Sequence, residues 1–192
     1  MPRRMITALR LPMTFDADRL QADLAAIEGS GWRRHFNRGY FDGEWSGIPL
    51  RLETGHRHPL AYLPPPDRGA FVDAPLLAEC SYIPEVLGAF DCPLRLVRLL
   101  RLTPGSIIRE HRDDDLSFEE GLARFHIPIA TNDEVEFILG GEKLVLRPGE
   151  CWYMNFDLPH SLANRGATDR VHLVVDVEVN AWVRDLFGNI AQ

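Results

Sequence analysis

From residue 94 onward, short apolar runs alternate with turn signals at close, regular spacing. The punctuation is Pro104-Gly105, Thr131-Asn132-Asp133, Gly140-Gly141, Pro148-Gly149 and Asn164-Arg165-Gly166. Glycine and asparagine adopt the backbone conformations that tight turns need, and proline presets one dihedral and ends a run. This pattern predicts many short strands, and hence an all-β sandwich or barrel. One segment stays open on periodicity alone. LRLVRLLRL, 94–102, carries Arg95, Arg98 and Arg101 at every third residue, as an amphipathic helix would, yet Pro93 and Pro104 leave little room for one.

Upstream, FDADRLQADLAAIE, 15–28, predicts a helix. Asp16 or Asp18 caps its start, Leu20, Leu24 and Ile27 share one face, and Gly29 stops it. Pro64, Pro65 and Pro66 exclude regular structure where they stand. Residues 75–90 are expected to hold a short helix that starts near Pro75 and is interrupted around Pro84. The 192 residues suit one domain with a sizeable core. Its expected parts are N-terminal helices and outer strands over 1–93, a β core over 94–180 and a tail over 181–192.

Apolar residues at 45% and charged residues at 26% are ordinary for a globular protein. No apolar run is long enough to cross a bilayer, and MPRRMITALRLPM lacks the apolar centre of a secretory signal. A cytoplasmic location, away from membranes, is the expectation. The formal net charge of −7 argues against nucleic acid as a partner. It leaves room for an anionic substrate, because an acidic protein can enclose a basic pocket. Cys80, Cys92 and Cys151 show no C-x-x-C spacing and read as reduced core thiols.

His111-Arg112-Asp113 is an H-x-D pair, with His160 far downstream. Residues i and i+2 of an extended chain point the same way, so a histidine and a carboxylate at that spacing can reach one metal. A second histidine from a distant strand completes a two-His-one-carboxylate face, which leaves positions open on six-coordinate Fe(II). Taken alone, EHRDDD reads more readily as a solvated acidic loop. Two strand-like stretches shift the balance. In DRVHLVVDVEV, 169–179, Val171, Leu173, Val175 and Val177 form one face, while Arg170, His172, Asp176 and Glu178 share the other. In LARFHIPIA, 122–130, Arg124 and His126 oppose Phe125, Ile127 and Ile129. One such strand alone reads as a surface strand; two of them flanking the H-x-D…H residues favour a shared polar cavity. Among the remaining residues, Trp152 reads as core and Asn155 as bonded to turn backbone. His56 and His58 read as a solvated pair. His172 is either a partner behind the site or a satisfied interior histidine.

The stretches RLLRLTPGSIIREHRDDDLSFEEGLARFHIPI and GECWYMNFDLPHSLANRGATDRVHLVVDV resemble the aspartyl/asparaginyl β-hydroxylase family of Fe(II)/2-oxoglutarate oxygenases, in particular its stand-alone bacterial members. They also resemble the bacterial free-proline hydroxylases. The likeness spans about 94–180, with a weaker echo at WSGIPLR, 45–51. The order H-x-D, R-x-H, H, then Arg ten positions on carries it. The resemblance implies a mainly β, cupin-like double-stranded β-helix, or jelly roll, with a few flanking helices, and it assigns LRLVRLLRL to a strand. It implies that His111, Asp113 and His160 bind iron and carry catalysis. Arg170 is implied to grip the distal carboxylate of 2-oxoglutarate, a task suited to a planar, permanently charged fork. Arg124 and His126 match positions that hold a cosubstrate or substrate carboxylate. Animal members carry a small residue in place of Asp113, so this chain follows the fuller triad of the proline hydroxylases.

The implied activity is a dioxygenase that couples 2-oxoglutarate decarboxylation and O2 to C–H hydroxylation. The implied substrate is a carboxylate-bearing amino acid or an Asp/Asn-type peptide side chain. The rivals are a cupin-like metal-binding or sensor protein without turnover, and a hydrolase or isomerase using Zn(II) or Mn(II). Neither rival needs an arginine at position 170.

Overall fold

The computed structural model describes residues 5–55, 58–61, 69–114 and 116–190. His56 and the Pro64–Pro66 run lie outside the described residues. The first half holds β1 (Ala8–Thr14), α1 (Ala17–Ile27), β2 (Arg33–Arg34), β3 (Phe41–Asp42), β4 (Trp45–Glu53), β5 (Phe71–Asp73) and α2 (Ile83–Gly88). The second half holds β6 (Leu94–Leu102), β7 (Ile107–His111), β8 (Leu122–Ala130), β9 (Val135–Leu139) and β10 (Glu142–Leu144). It continues with β11 (Glu150–Met154), β12 (His160–Asn164), β13 (Arg170–Glu178) and α3 (Ala181–Ile190). Every turn signal named above falls between two of these strands or at a strand end. LRLVRLLRL is strand β6, paired with β4 on one side and β13 on the other.

Two antiparallel sheets face each other. The larger runs β1-β11-β8-β13-β6-β4-β2, with β5 on β4; the smaller runs β10-β9-β12-β7-β3. The long crossovers within each sheet make this a double-stranded β-helix. Strand alternation sorts the side chains of the larger sheet. Val171, Leu173, Val175 and Val177, with Phe125, Ile127 and Ile129, turn outward onto the three helices and form the main core. Arg170, His172 and Asp176, with Arg124 and His126, turn inward toward the smaller sheet and are buried. Glu178, at the end of its strand, is exposed. A second apolar cluster, including Phe137, Phe156 and Leu162, shares this inner space. The polar faces of β8 and β13 therefore line an interior, not a surface.

Several boundaries differ from the sequence expectation. α1 is capped by Asp16, whose Oδ1 accepts from the backbone of Asp18 and Arg19. Gly29 does not stop it; the chain tightens into a 3-10 turn over Glu28–Ser30, and Gly31, at φ 136°, makes the break. In 75–90, Pro75 opens a separate 3-10 turn, and Pro84 lies in the first turn of α2, where its missing N–H costs no helical bond. Residues read as a C-terminal tail form α3, whose Val183 and Phe187 are buried in the main core. Among the described residues, no helix is long and apolar enough to cross a membrane. Cys80, Cys92 and Cys151 are unpaired, and Cys80 and Cys151 are buried.

The helical layer is tied down by one carboxylate. Asp23 of α1, 2% exposed, accepts hydrogen bonds from Ser81 N, Ser81 Oγ, Tyr82 N and Ile83 N at 2.7–2.9 Å. Burial works to raise its pKa, but the bonds from Ile83, Tyr82 and Ser81 outweigh burial and hold it below the ordinary value. A carboxylate with a lowered folded-state pKa stabilises fully above its unfolded value and loses that contribution as pH falls through the folded value. Asp23→Ala is expected to destabilise the fold by about 3 kcal/mol at neutral pH. In urea titrations, wild type should lose stability below about pH 4 more steeply than Asp23→Asn. Equal slopes would remove Asp23 from the acid response.

Candidate functional site

His111 ends β7 and His160 begins β12, and the two stand directly opposite in the strand register. Beyond β7 the chain stays extended, and Asp113 N donates to Phe156 O at 2.9 Å, which turns the Asp113 side chain to the same spot. One ligand atom from each of His111, Asp113 and His160 lies within 4.8 Å of the others. His111 Nε2 is 3.8 Å from Asp113 Oδ1. The Nδ1 of His111 lies 2.8 Å from Arg109 O, and that of His160 lies 3.0 Å from Leu158 O. Carbonyls only accept, so both protons sit on Nδ1 and both Nε2 lone pairs are free to bind a metal. Burial pulls the His160 pKa down to about 4, which keeps it neutral at physiological pH.

Asp113 shares its charge with a buried arginine. Arg124 Nη1 donates to Asp113 Oδ2 at 2.6 Å. On its other side Arg124 reaches Asp176, with Nε to Oδ1 at 2.6 Å and Nη2 to Oδ2 at 2.9 Å. Arg98 Nη2 donates to the same Asp176 Oδ2 at 3.2 Å. Burial pushes the pKa values of both aspartates up, but the arginines outweigh it, joined at Asp113 by His160 and His111, so both carboxyls stay ionised.

Deeper in, Arg170 is 3% exposed, and burial draws its pKa down to about 9, so it remains cationic at neutral pH. Its Nη2 lies 2.8 Å from His172 Nδ1, which in turn lies 3.2 Å from His126 Nδ1. Arginine can only donate, so His172 Nδ1 accepts and His126 Nδ1 carries a proton. Burial lowers both histidine pKa values well below the ordinary one, so both are neutral. Among Arg170, His172 and His126, the buried Arg170 Nε and His126 Nε2 have no hydrogen-bond partner. A buried guanidinium nitrogen without an acceptor is costly, and an anion would satisfy it.

These groups enclose a cavity of about 50 Å³ that includes His111, Asp113, Arg124, His126, His160 and Arg170. A wider cleft of about 480 Å³ opens from it, with Trp45, Leu100, His111, Asp113 and Arg124 common to both. The metal-type triad thus stands at the seam between an inner chamber ending on Arg170 and an outer cleft. Two imidazoles and one carboxylate oxygen are a donor set suited to Fe(II), and the unpartnered Arg170 Nε suits a carboxylate. The residues present fit both groups.

Comparison with known proteins agrees with this geometry. The profile described as aspartyl/asparaginyl beta-hydroxylase matches residues 17–179. The chain belongs to that family. It is similar to the L-proline cis-4-hydroxylase of Rhizobium meliloti (strain 1021), 28% identical over 183 residues. That match covers 93% of this chain but only 63% of the relative's length. Among solved structures, a Burkholderia pseudomallei oxidoreductase of the 2OG-Fe(II) oxygenase family is 16% identical at a TM-score of 0.60, over 90% of this chain and 86% of that one. HygX from Streptomyces hygroscopicus, solved with nickel and 2-oxoglutarate bound, is 12% identical at a TM-score of 0.58, over 92% of this chain and 84% of that one. These likenesses establish the shared β-helix fold.

All six residues singled out in the sequence (His111, Asp113, Arg124, His126, His160 and Arg170) meet at the one chamber. Asn155 is bonded to turn backbone as expected, accepting from Asp157 N. His172 is buried and its Nδ1 accepts from Arg170 Nη2. The outer cleft is where sequence reasoning fell short: His35, Phe36, Tyr40 and His58 line it, all from the first third of the chain. His35 stacks on Trp45 at 3.4 Å between centroids, and Tyr40 packs on His111 at 4.7 Å. The weak likeness at WSGIPLR was the one signal for this wall, and it contains Trp45.

His111→Ala and His160→Ala are expected to abolish Mn(II) or Fe(II) binding in calorimetric titration while leaving the circular dichroism of a folded protein. Metal affinity retained by both variants would remove these residues from the metal site.

Proposed function

We propose that this protein is an Fe(II)/2-oxoglutarate-dependent dioxygenase that hydroxylates a C–H bond of a carboxylate-bearing amino acid, either free or as an Asp/Asn-type peptide side chain. The observation that carries the reading is the His111, Asp113, His160 cluster placed between a chamber ending on the unpartnered Arg170 Nε and an open cleft. Fe(II) and 2-oxoglutarate are the groups that the family implies.

In this reading His111, Asp113 and His160 hold the iron, and Arg170 takes the distal carboxylate of 2-oxoglutarate. Bound together, iron and cosubstrate supply the oxidising power, at the expense of O2, with succinate and CO2 released. The chain's own residues position and exclude water. Leu100, Phe156 and Leu162 keep the chamber apolar around its few charges. Trp45, braced by His35, separates it from the outer cleft. His126 presents a bare Nε2 acceptor; to hold a carboxylate it must gain a proton, which an arriving anion favours. No side chain is required as a strong base.

The case for an anionic substrate changes in one respect. Arg98 and Arg124, basic groups of the cleft, share Asp176, so neither calls for an anion by itself. Support for an anion comes instead from the loaded cleft: Arg98, Arg112 and Arg124 are balanced by Asp113, Asp114 and Asp176, so a divalent ion adds positive charge that an anion would answer. The amino-acid hydroxylase among its relatives points the same way.

A non-catalytic cupin-like protein would bind metal without consuming cosubstrate. Succinate formation on adding Fe(II), ascorbate, 2-oxoglutarate and a panel of amino acids and Asp/Asn peptides separates the two; no substrate-stimulated succinate with any of them would contradict the proposal. Arg170→Ala is expected to raise the 2-oxoglutarate requirement at least about a hundredfold, because unpairing a buried charge costs about 3–5 kcal/mol. Its metal affinity should be unchanged. An unaltered 2-oxoglutarate titration would reassign Arg170 to structure. Amide or decarboxylated analogues of the best substrate are expected to stimulate turnover poorly. If they match the acids, and Arg124→Gln alters neither, the substrate is not recognised through its carboxylate.

A further inference from the structure

Asp176 touches no metal ligand, yet the orientation of one ligand depends on it. It sits on the inner face of β13, 6% exposed, directly across the register from Arg124 on β8. Both of its oxygens grip Arg124, at 2.6 and 2.9 Å. A two-point contact between a planar guanidinium and a carboxylate sets the plane of the pair as well as its distance. Held in that plane, Arg124 turns Nη1 toward Asp113 and meets Oδ2 at 2.6 Å. Oδ2 is thereby occupied, and Oδ1 is the oxygen that faces His111 Nε2, at 3.8 Å. A carboxylate with both oxygens loose can close on a metal with two, filling a position that cosubstrate or O2 needs.

We propose that Asp176 is a positioning residue for the metal centre: acting through Arg124, it holds Asp113 as a ligand of one oxygen. The inference rests on reading His111, Asp113 and His160 as the metal triad. Asp176 also balances charge, since Arg98, Arg124, Asp113 and Asp176 together are neutral before a divalent ion arrives. Without the Asp176 carboxylate, Arg124 loses its fixed seat and the centre gains a net positive charge. Both changes disfavour a cation.

The test uses the whole 192-residue chain without cosubstrate. Mn(II) affinity is read from the loss of the free-ion electron paramagnetic resonance signal, and ligand number from the visible spectrum of the Co(II) form. Asp176→Asn is expected to weaken Mn(II) binding about tenfold, as substitutions behind metal ligands do, and to change the Co(II) spectrum. Asp176→Glu keeps the charge that the buried arginines need for folding. It is expected to recover part of the affinity while its Co(II) spectrum still differs from wild type. Asp23→Asn, a buried carboxylate lost elsewhere, is expected to bind both ions as wild type does. Wild-type affinity and an unchanged spectrum in both Asp176 variants would overturn the inference, as would an equal deficit in Asp23→Asn. If His160→Ala also keeps its Mn(II) affinity, the triad reading falls, and this inference with it.

Discussion

The two-residue period of β8 and β13 is the constraint on which the rest of the structure depends. Each strand sends branched and aromatic side chains to one face and ionisable ones to the other. The apolar face is covered by three helices, leaving the polar face nowhere to go but the space between the sheets. A shift of either strand by one residue would exchange the two sets and bury charges against the helices. The register that builds the core is therefore the register that builds the site.

Charges confined in this way must be answered. Arg124, Arg98, Asp176 and Asp113 answer one another in a chain of hydrogen bonds. Arg170 is answered only in part, through His172, and its Nε stands without a partner. The same physical rule, that buried ions are paired, thus sorts these residues. Those satisfied within the protein hold the frame, and the partly answered Arg170 is the group to which the proposed function gives the cosubstrate carboxylate. The metal-type triad lies between them, its histidines set by the carbonyls of Arg109 and Leu158.

Much of this was legible in the sequence because it is local. Turn residues marked the strand ends, alternation marked the faces, and the H-x-D spacing placed two ligands on one side of an extended chain. Whether the polar faces met in an interior was not local; two such strands flanking the H-x-D…H residues favoured it, and the pairing of β8 with β13 shows it. The ambiguity of LRLVRLLRL had the same origin. Arg98 points into the site, while Arg101 lies on the other face against Trp32 and Glu44, so a repeat of three is compatible with a strand. The pairing of Arg124 with Asp176 was not legible, since spacing within each strand says nothing about register between strands. The outer cleft was missed because His35, Phe36, Tyr40 and His58 sit in irregular segments without a repeating pattern.

The central claim is that one site joins iron, held by His111, Asp113 and His160, to 2-oxoglutarate, held by Arg170. Its most direct test is an oxygen-free titration of the Fe(II)-loaded protein with 2-oxoglutarate, followed by visible absorption. The account predicts a saturable charge-transfer band in wild type, its absence in His160→Ala, and its appearance in Arg170→Ala only at far higher 2-oxoglutarate. No band in wild type, or a band that neither substitution alters, would contradict it.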